Sequence, residues 1–134
     1  QVILVHREEN NILGREDLKG RSVGVIAGSP AQAAAESITG ADVRLYDSED
    51  LLIQDIVQKR LDAAIVQNSK ALAAVFKTKE AVKIVGYFLT DETYHIVVCK
   101  NKPELVDLVN KGLEILRADG TLDKLVQIWL KEYQ

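Results

Sequence analysis

The chain has a single cysteine, Cys99, in 134 residues. No internal disulfide can form, and the redox compartment stays open. With only two histidines beside it, no set of ligands falls at a zinc spacing. Neither sign of charge dominates: 17 basic residues face 20 acidic ones, for a net charge of −3. No Lys/Arg cluster is dense enough to track phosphates, so nucleic acid is not an expected partner. No apolar run approaches the roughly 18 residues of a membrane span. No secretory leader pattern is present, a feature shared with trimmed secreted domains. No Gly-Lys-Ser/Thr loop occurs, and Gly20, Gly24 and Gly28 are spaced by four. Walker and dinucleotide-binding fingerprints are therefore both excluded.

What is present is an ordinary globular composition, 47% apolar and 28% charged, in a length that suits one domain with a proper core. The stretch around which the chain is organised is Asp17-Leu-Lys-Gly-Arg-Ser-Val-Gly-Val-Ile-Ala-Gly-Ser29. Residues 23–26 read as a strand, Gly28-Ser29 as a turn, and the alanine-rich run 31–35 as a helix closed by Gly40. Pro30 suits a first helical position, where its missing N–H would be unpaired anyway. A strand feeding such a turn makes a small anion site. The first-turn amides point outward and the helix dipole favours negative charge. Gly28 lets the backbone approach a ligand, and Ser29 adds a hydroxyl. The same turn also serves as plain strand-to-helix punctuation.

Elsewhere, Val2–His6 is a β-branched run and reads as a strand, followed by a polar loop over 7–13. Asp17-Leu18 forms a brief helical turn ended by Gly20. Residues 43–46 make a short strand. Ser48 then caps a helix with Glu49 and Asp50 in its first turn, and Leu52, Ile53, Ile56 and Val57 on one face as far as Lys59. Ala63–Val66 is a buried-type strand, and Asn68 or Ser69 caps the helix after it. Val82–Val85 and 94–99 are two further strands, with Cys99 read as a small buried hydrophobe. Pro103 starts a helix with Leu105, Leu108, Val109, Gly112, Leu113 and Leu116 near one face. Gly120 ends it, and Thr121 caps the last, where Leu122, Leu125, Val126, Trp129 and Tyr133 recur at helical spacing. Trp129 is expected in a core. Strands alternating with helices predict an α/β fold with a mostly parallel sheet and helices on both faces. Ligands of such sheets bind beyond the carboxyl ends of the strands. Two ends qualify, Gly28-Ser29 and Gln67-Asn68, although the two amides also suit simple helix capping.

Three segments together resemble the type II periplasmic binding proteins, in the polar amino-acid-binding family of ABC importers. Asp17-Leu-Lys-Gly-x-x-Val-Gly-Val-x-x-Gly-Ser29 is similar to the entry into that family's second lobe. Leu61-Asp-Ala-Ala-Ile65 is similar to the strand leading to its ammonium site. Arg117-Ala-Asp-Gly-Thr-x-x-Lys-Leu125 is similar to its C-terminal helical hairpin. The resemblance implies a periplasmic-binding-protein-like II lobe over residues 1–99, with Val2–His6 and 94–99 as crossover strands. Residues 100–134 would be a helical hairpin, and most of the first lobe would be absent. It implies a ligand site at Gly28, Ser29, Pro30, Gln32, Gln67 and Asn68.

Two positions depart from the family pattern. Gln67 stands where an aspartate usually holds an ammonium, and a neutral hydrogen bond is about half as strong as a charge-assisted one. Pro30 stands where a hydroxyl residue is common. The implied function is extracytoplasmic binding of amino acids or similar small polar solutes, in the periplasm or at the cell surface. The implied partners are the membrane subunits of an ABC importer. The same fold also serves as the sensing domain of membrane receptors and kinases. A third reading, a dehydratase of this fold, lacks a titratable group in the mapped cleft, while His6 and His95 read as structural. No catalytic residue, cofactor or metal is expected. The apolar C-terminal helices lead to the expectation of a homodimer formed through them.

Overall fold

The computed structural model describes residues 1–90 and 95–131. The chain divides into two compact units, Gln1–Glu92 and Thr93–Gln134. In the first unit, β1 (Val2–His6), β2 (Ser22–Ile26), β3 (Asp42–Tyr46), β4 (Ala63–Val66) and β5 (Val82–Val85) form one sheet in the order β3-β2-β4-β1-β5. Strand β2 runs parallel to β3 and β4, while β1 lies antiparallel between β4 and β5. Helices α1 (Pro30–Glu36), α2 (Glu49–Val57) and α3 (Asn68–Lys77) make the crossovers, and a 3-10 turn spans Arg15–Leu18.

Two cores sandwich this sheet. Successive residues of a strand point to opposite faces, so Val2 and Leu4 join one core with Leu52 and Ile56 of α2 and Ala71 and Val75 of α3. Ile3 and Val5 join the other, with Ile12, Leu18, and Ala31 and Ala35 of α1. Ile3, Leu4 and Val5 are fully buried. Each such aliphatic side chain contributes roughly 1.5–3 kcal/mol.

Gly24 lets α2 close on β2. A Cβ there would stand 2.9 Å from Leu52 Cδ1 and 3.1 Å from Tyr46 Cε2, and would collide with Leu61 Cδ2. Leu52 and Leu61 are buried, so neither side chain has free space to yield into.

At the amino ends of β2 and β4, Asp62 clamps Ser22. Asp62 Oδ2 accepts from the Ser22 hydroxyl at 2.7 Å and from the Ser22 amide at 2.8 Å, while Asp62 N–H donates back to Ser22 Oγ at 3.0 Å. Burial works against the Asp62 carboxylate, but the two Ser22 donors and the Arg21 guanidinium outweigh it and hold the group below the usual carboxylate range.

Several expected boundaries move. Helix α1 stops at Glu36 rather than at Gly40, because the Ser37 hydroxyl turns back onto the Ala34 carbonyl at 2.6 Å. Gln67, not Asn68 or Ser69, is the cap residue of α3. In the second unit, α4 (Glu104–Ala118) and α5 (Thr121–Val126) are followed by a π-helical turn over Gln127–Lys131. Gly120 at φ +76° occupies the cap position expected of Thr121, whose amide instead donates to Asp119 Oδ1.

The expected strand over 94–99 does not form: residues 95–99 carry no strand structure, and Tyr94 lies outside the described residues. A strand exists only when another strand takes its backbone hydrogen bonds, and none does so here among the described residues. Cys99 is exposed rather than buried. Trp129, expected in a core, is 68% exposed. Neither α4 nor α5 buries a residue among those described. Tyr133 lies outside the described residues.

Two tests follow from the packing. Gly24→Ala is expected to cost about 1–3 kcal/mol through overpacking, seen as a lower urea midpoint at unchanged slope. An unchanged midpoint would show that α2 is not in close contact with β2. For Asp62, the folded-state pKa lies below the unfolded value of about 3.9. Its contribution is therefore fully present above that value and is lost as the pH falls through the folded one. Asp62→Asn is expected to be less stable than the parent at pH 7, with the gap narrowing below about pH 4. Urea midpoints at pH 7, 4 and 3 measure this, and a gap independent of pH rules out the ionic clamp.

Candidate functional site

Parallel strands β2 and β4 end side by side, and their connections to α1 and α3 diverge above the sheet. Between them lies a hollow of about 210 Å³. Ile26, Ser29, Pro30 and Ala31 line it from the β2 end, and Ile65, Val66 and Gln67 line it from the β4 end. Gln1 closes it from the start of β1, and Glu49 and Lys70 contribute from the heads of α2 and α3. This position, beyond the carboxyl ends of parallel strands, is where open α/β sheets take ligands.

The structure brings Ser29, Pro30 and Gln67 together around this hollow, while Gly28, Gln32 and Asn68 are not part of its lining. Gly28 sits at φ +70°, a left-handed conformation that favours glycine, and makes the turn possible. Its amide donates to Gln32 Oε1 at 2.8 Å, and Gln32 Nε2 donates to Glu36 Oε1 at 2.7 Å. Gln32 thus braces the turn and α1 rather than facing the hollow. Asn68 has its Oδ1 buried, without a donor among the described residues.

Ser29 differs from the open anion site expected of it. Its amide donates to the Ile26 carbonyl at 3.2 Å, and its hydroxyl donates to the same oxygen at 2.6 Å. The hydroxyl proton is directed into the turn, which leaves the oxygen's lone pairs as acceptors. Pro30 carries no N–H. The turn therefore offers fewer donors than its sequence suggests.

Sequence reasoning missed Glu49 and Lys70 as lining residues. Glu49 reads as a first-turn acid placed for the helix dipole. Lys70 follows Gln67 by three residues, one helical turn on the same face, and that spacing was the available signal. Lys70 Nζ meets Glu49 Oε2 at 3.2 Å, with side chains 54% and 44% exposed. Among the described residues, no group of three His, Cys, Asp or Glu side chains is placed to hold a metal ion. No helix there is long and apolar enough to cross a membrane.

A sequence model of the bacterial extracellular solute-binding proteins, family 3, matches residues 1–132. The chain belongs to this family. Its fold is that of the type II periplasmic binding proteins, as the three motifs implied. One relative is the L-cystine-binding protein TcyJ of Escherichia coli K12, 30% identical over 130 residues, which cover 96% of this chain and 49% of that protein. An ancestral arginine-binding protein solved with arginine superposes with a TM-score of 0.71 at 36% identity, over 96% of this chain and 58% of that one. An ancestral amino acid-binding protein, described as a precursor of cyclohexadienyl dehydratase, superposes with a TM-score of 0.67 at 31% identity, over 96% and 56% of the two chains. The chain spans about half the length of the curated relatives it matches.

Proposed function

We propose that this chain is the second lobe, with the C-terminal helices, of an extracytoplasmic binding protein for amino acids or related small polar solutes. Such a protein delivers its solute to the membrane subunits of an ABC importer, in the periplasm or at the cell surface. The observation that carries the proposal is the hollow between the β2 and β4 ends, where Ser29, Pro30 and Gln67 meet. The names of the relatives, which bind cystine or arginine, support the solute class. Binding without chemistry fits the lining. Ser29 and Gln67 do not titrate usefully near neutral pH, and the carboxylate of Glu49 faces an ammonium rather than a second carboxyl group. A general acid needs a proton to give at the working pH.

A single lobe makes only part of the contacts of a closed cleft. Arginine, glutamine, histidine and glutamate are therefore expected to bind the 134-residue chain no tighter than about 1 mM, near −4 kcal/mol. Calorimetry sets that limit, and NMR at tens of millimolar solute should shift the Ser29 and Gln67 amides. A micromolar isotherm would show that one lobe suffices, and solute shifts confined to other surfaces would remove the hollow from the site.

We further propose that the C-terminal helices of this chain are covered by a second copy. Leu108, Ile115, Leu125 and Trp129 are all exposed, more apolar surface than a soluble monomer usually leaves open. Sedimentation at micromolar concentration is expected to give a dimer. A clean monomer with a fluorescence spectrum of buried indole means that the helices are covered within one chain.

A further inference from the structure

The hollow carries two charged side chains, Glu49 and Lys70, and they are paired with each other. The other side chains of the described lining are neutral or apolar: Ser29 presents acceptor lone pairs, Gln67 and Gln1 are uncharged amides, and the Gln1 ammonium donates to Thr90 Oγ1 at 2.9 Å. The pair joins the heads of α2 and α3 across the hollow. Both partners are about half exposed, and ion pairs in that setting contribute little and open readily. Opening the pair would set one fixed negative and one fixed positive charge beside the same hollow.

From this geometry we infer that Glu49 and Lys70 form an exchangeable ion pair that selects zwitterions. A solute ammonium goes to Glu49, its carboxylate goes to Lys70, and the solute takes the place each partner held for the other. The inference rests on reading the hollow as a solute site. A solute with one charge engages one partner and strands the other, losing both the native pair and a charge-assisted bond. A zwitterion satisfies both. Glu49 thereby supplies the negative charge that Gln67 does not.

Three solutes with one side chain isolate the effect: glutamine, its cationic amide glutaminamide, and its anionic derivative N-acetylglutamine. Amide shifts of the 134-residue chain in NMR titrations give the three affinities. Glutamine is expected to bind about tenfold more tightly than either derivative, the worth of one hydrogen bond to a charged group. Glu49→Gln should weaken glutamine and glutaminamide while sparing or strengthening N-acetylglutamine. Lys70→Met should weaken glutamine and N-acetylglutamine while sparing or strengthening glutaminamide. This crossed pattern cannot arise from a general loss of folding. If both variants keep the parent's order of affinities while the Ser29 and Gln67 amides still shift, the selector is wrong and the solute site stands. If none of the three solutes shifts those amides in the parent, both fall together.

Discussion

The first unit depends on the burial of both faces of one short strand. Strand β1 is hydrogen-bonded along both edges, to β4 and to β5, and its side chains enter the two cores alternately. It joins β5, and α3 behind it, to the β3-β2-β4 half of the sheet. Its direction matters equally. Because β1 runs against its neighbours, its first residue faces the last residue of β4, with Val2 opposite Val66. Gln1 therefore reaches the hollow, and His6 is carried to the opposite end.

The hollow inherits its geometry from register. β2 and β4 pair with Val23 opposite Ala63 and Gly24 opposite Ala64. One residue earlier on each strand, Ser22 and Asp62 close their three hydrogen bonds. A slip of one residue would break that clamp and turn every buried side chain to the wrong face. With the register held at the amino ends, Ile26 and Val66 emerge together at the carboxyl ends, and Ser29 and Gln67 follow onto the two sides of one hollow. Gly24 adds the close approach of α2, whose first residue is Glu49. A backbone constraint far from the hollow thus sets where its charged side chains stand.

The lining of the hollow differs from what the turn's sequence suggests. Donors that the Gly28-Ser29 turn advertises in sequence are consumed by the turn itself, through the Ile26 carbonyl and Gln32. The polar groups that line the hollow are the Ser29 oxygen, Gln67, Gln1 and the Glu49–Lys70 ion pair. The charged side chains beside the hollow therefore stand on helix heads rather than at the strand end at Gln67.

The amino-acid sequence by itself determined the elements whose signal is local. Val2–His6, Ala63–Val66 and Val82–Val85 stand where their apolar runs predicted strands, and that Ser29, Pro30 and Gln67 follow strand ends, where they line one hollow, was legible in the order of the elements. Residues 94–99 carry the same apolar signal, yet 95–99 form no strand, since pairing is a property of the partner as much as of the segment. The exposure of Cys99 and Trp129 has the same origin: an apolar side chain is buried only if an opposing layer exists, and spacing along one helix says nothing of that layer. Only the tertiary structure decided that Gln32 turns back to brace Gly28, and that Glu49 and Lys70 meet. These last two lie 21 residues apart. The strand order β3-β2-β4 sets the heads of α2 and α3 close enough for a 3.2 Å contact, because side chains from separate crossovers converge only where the sheet places their helix ends.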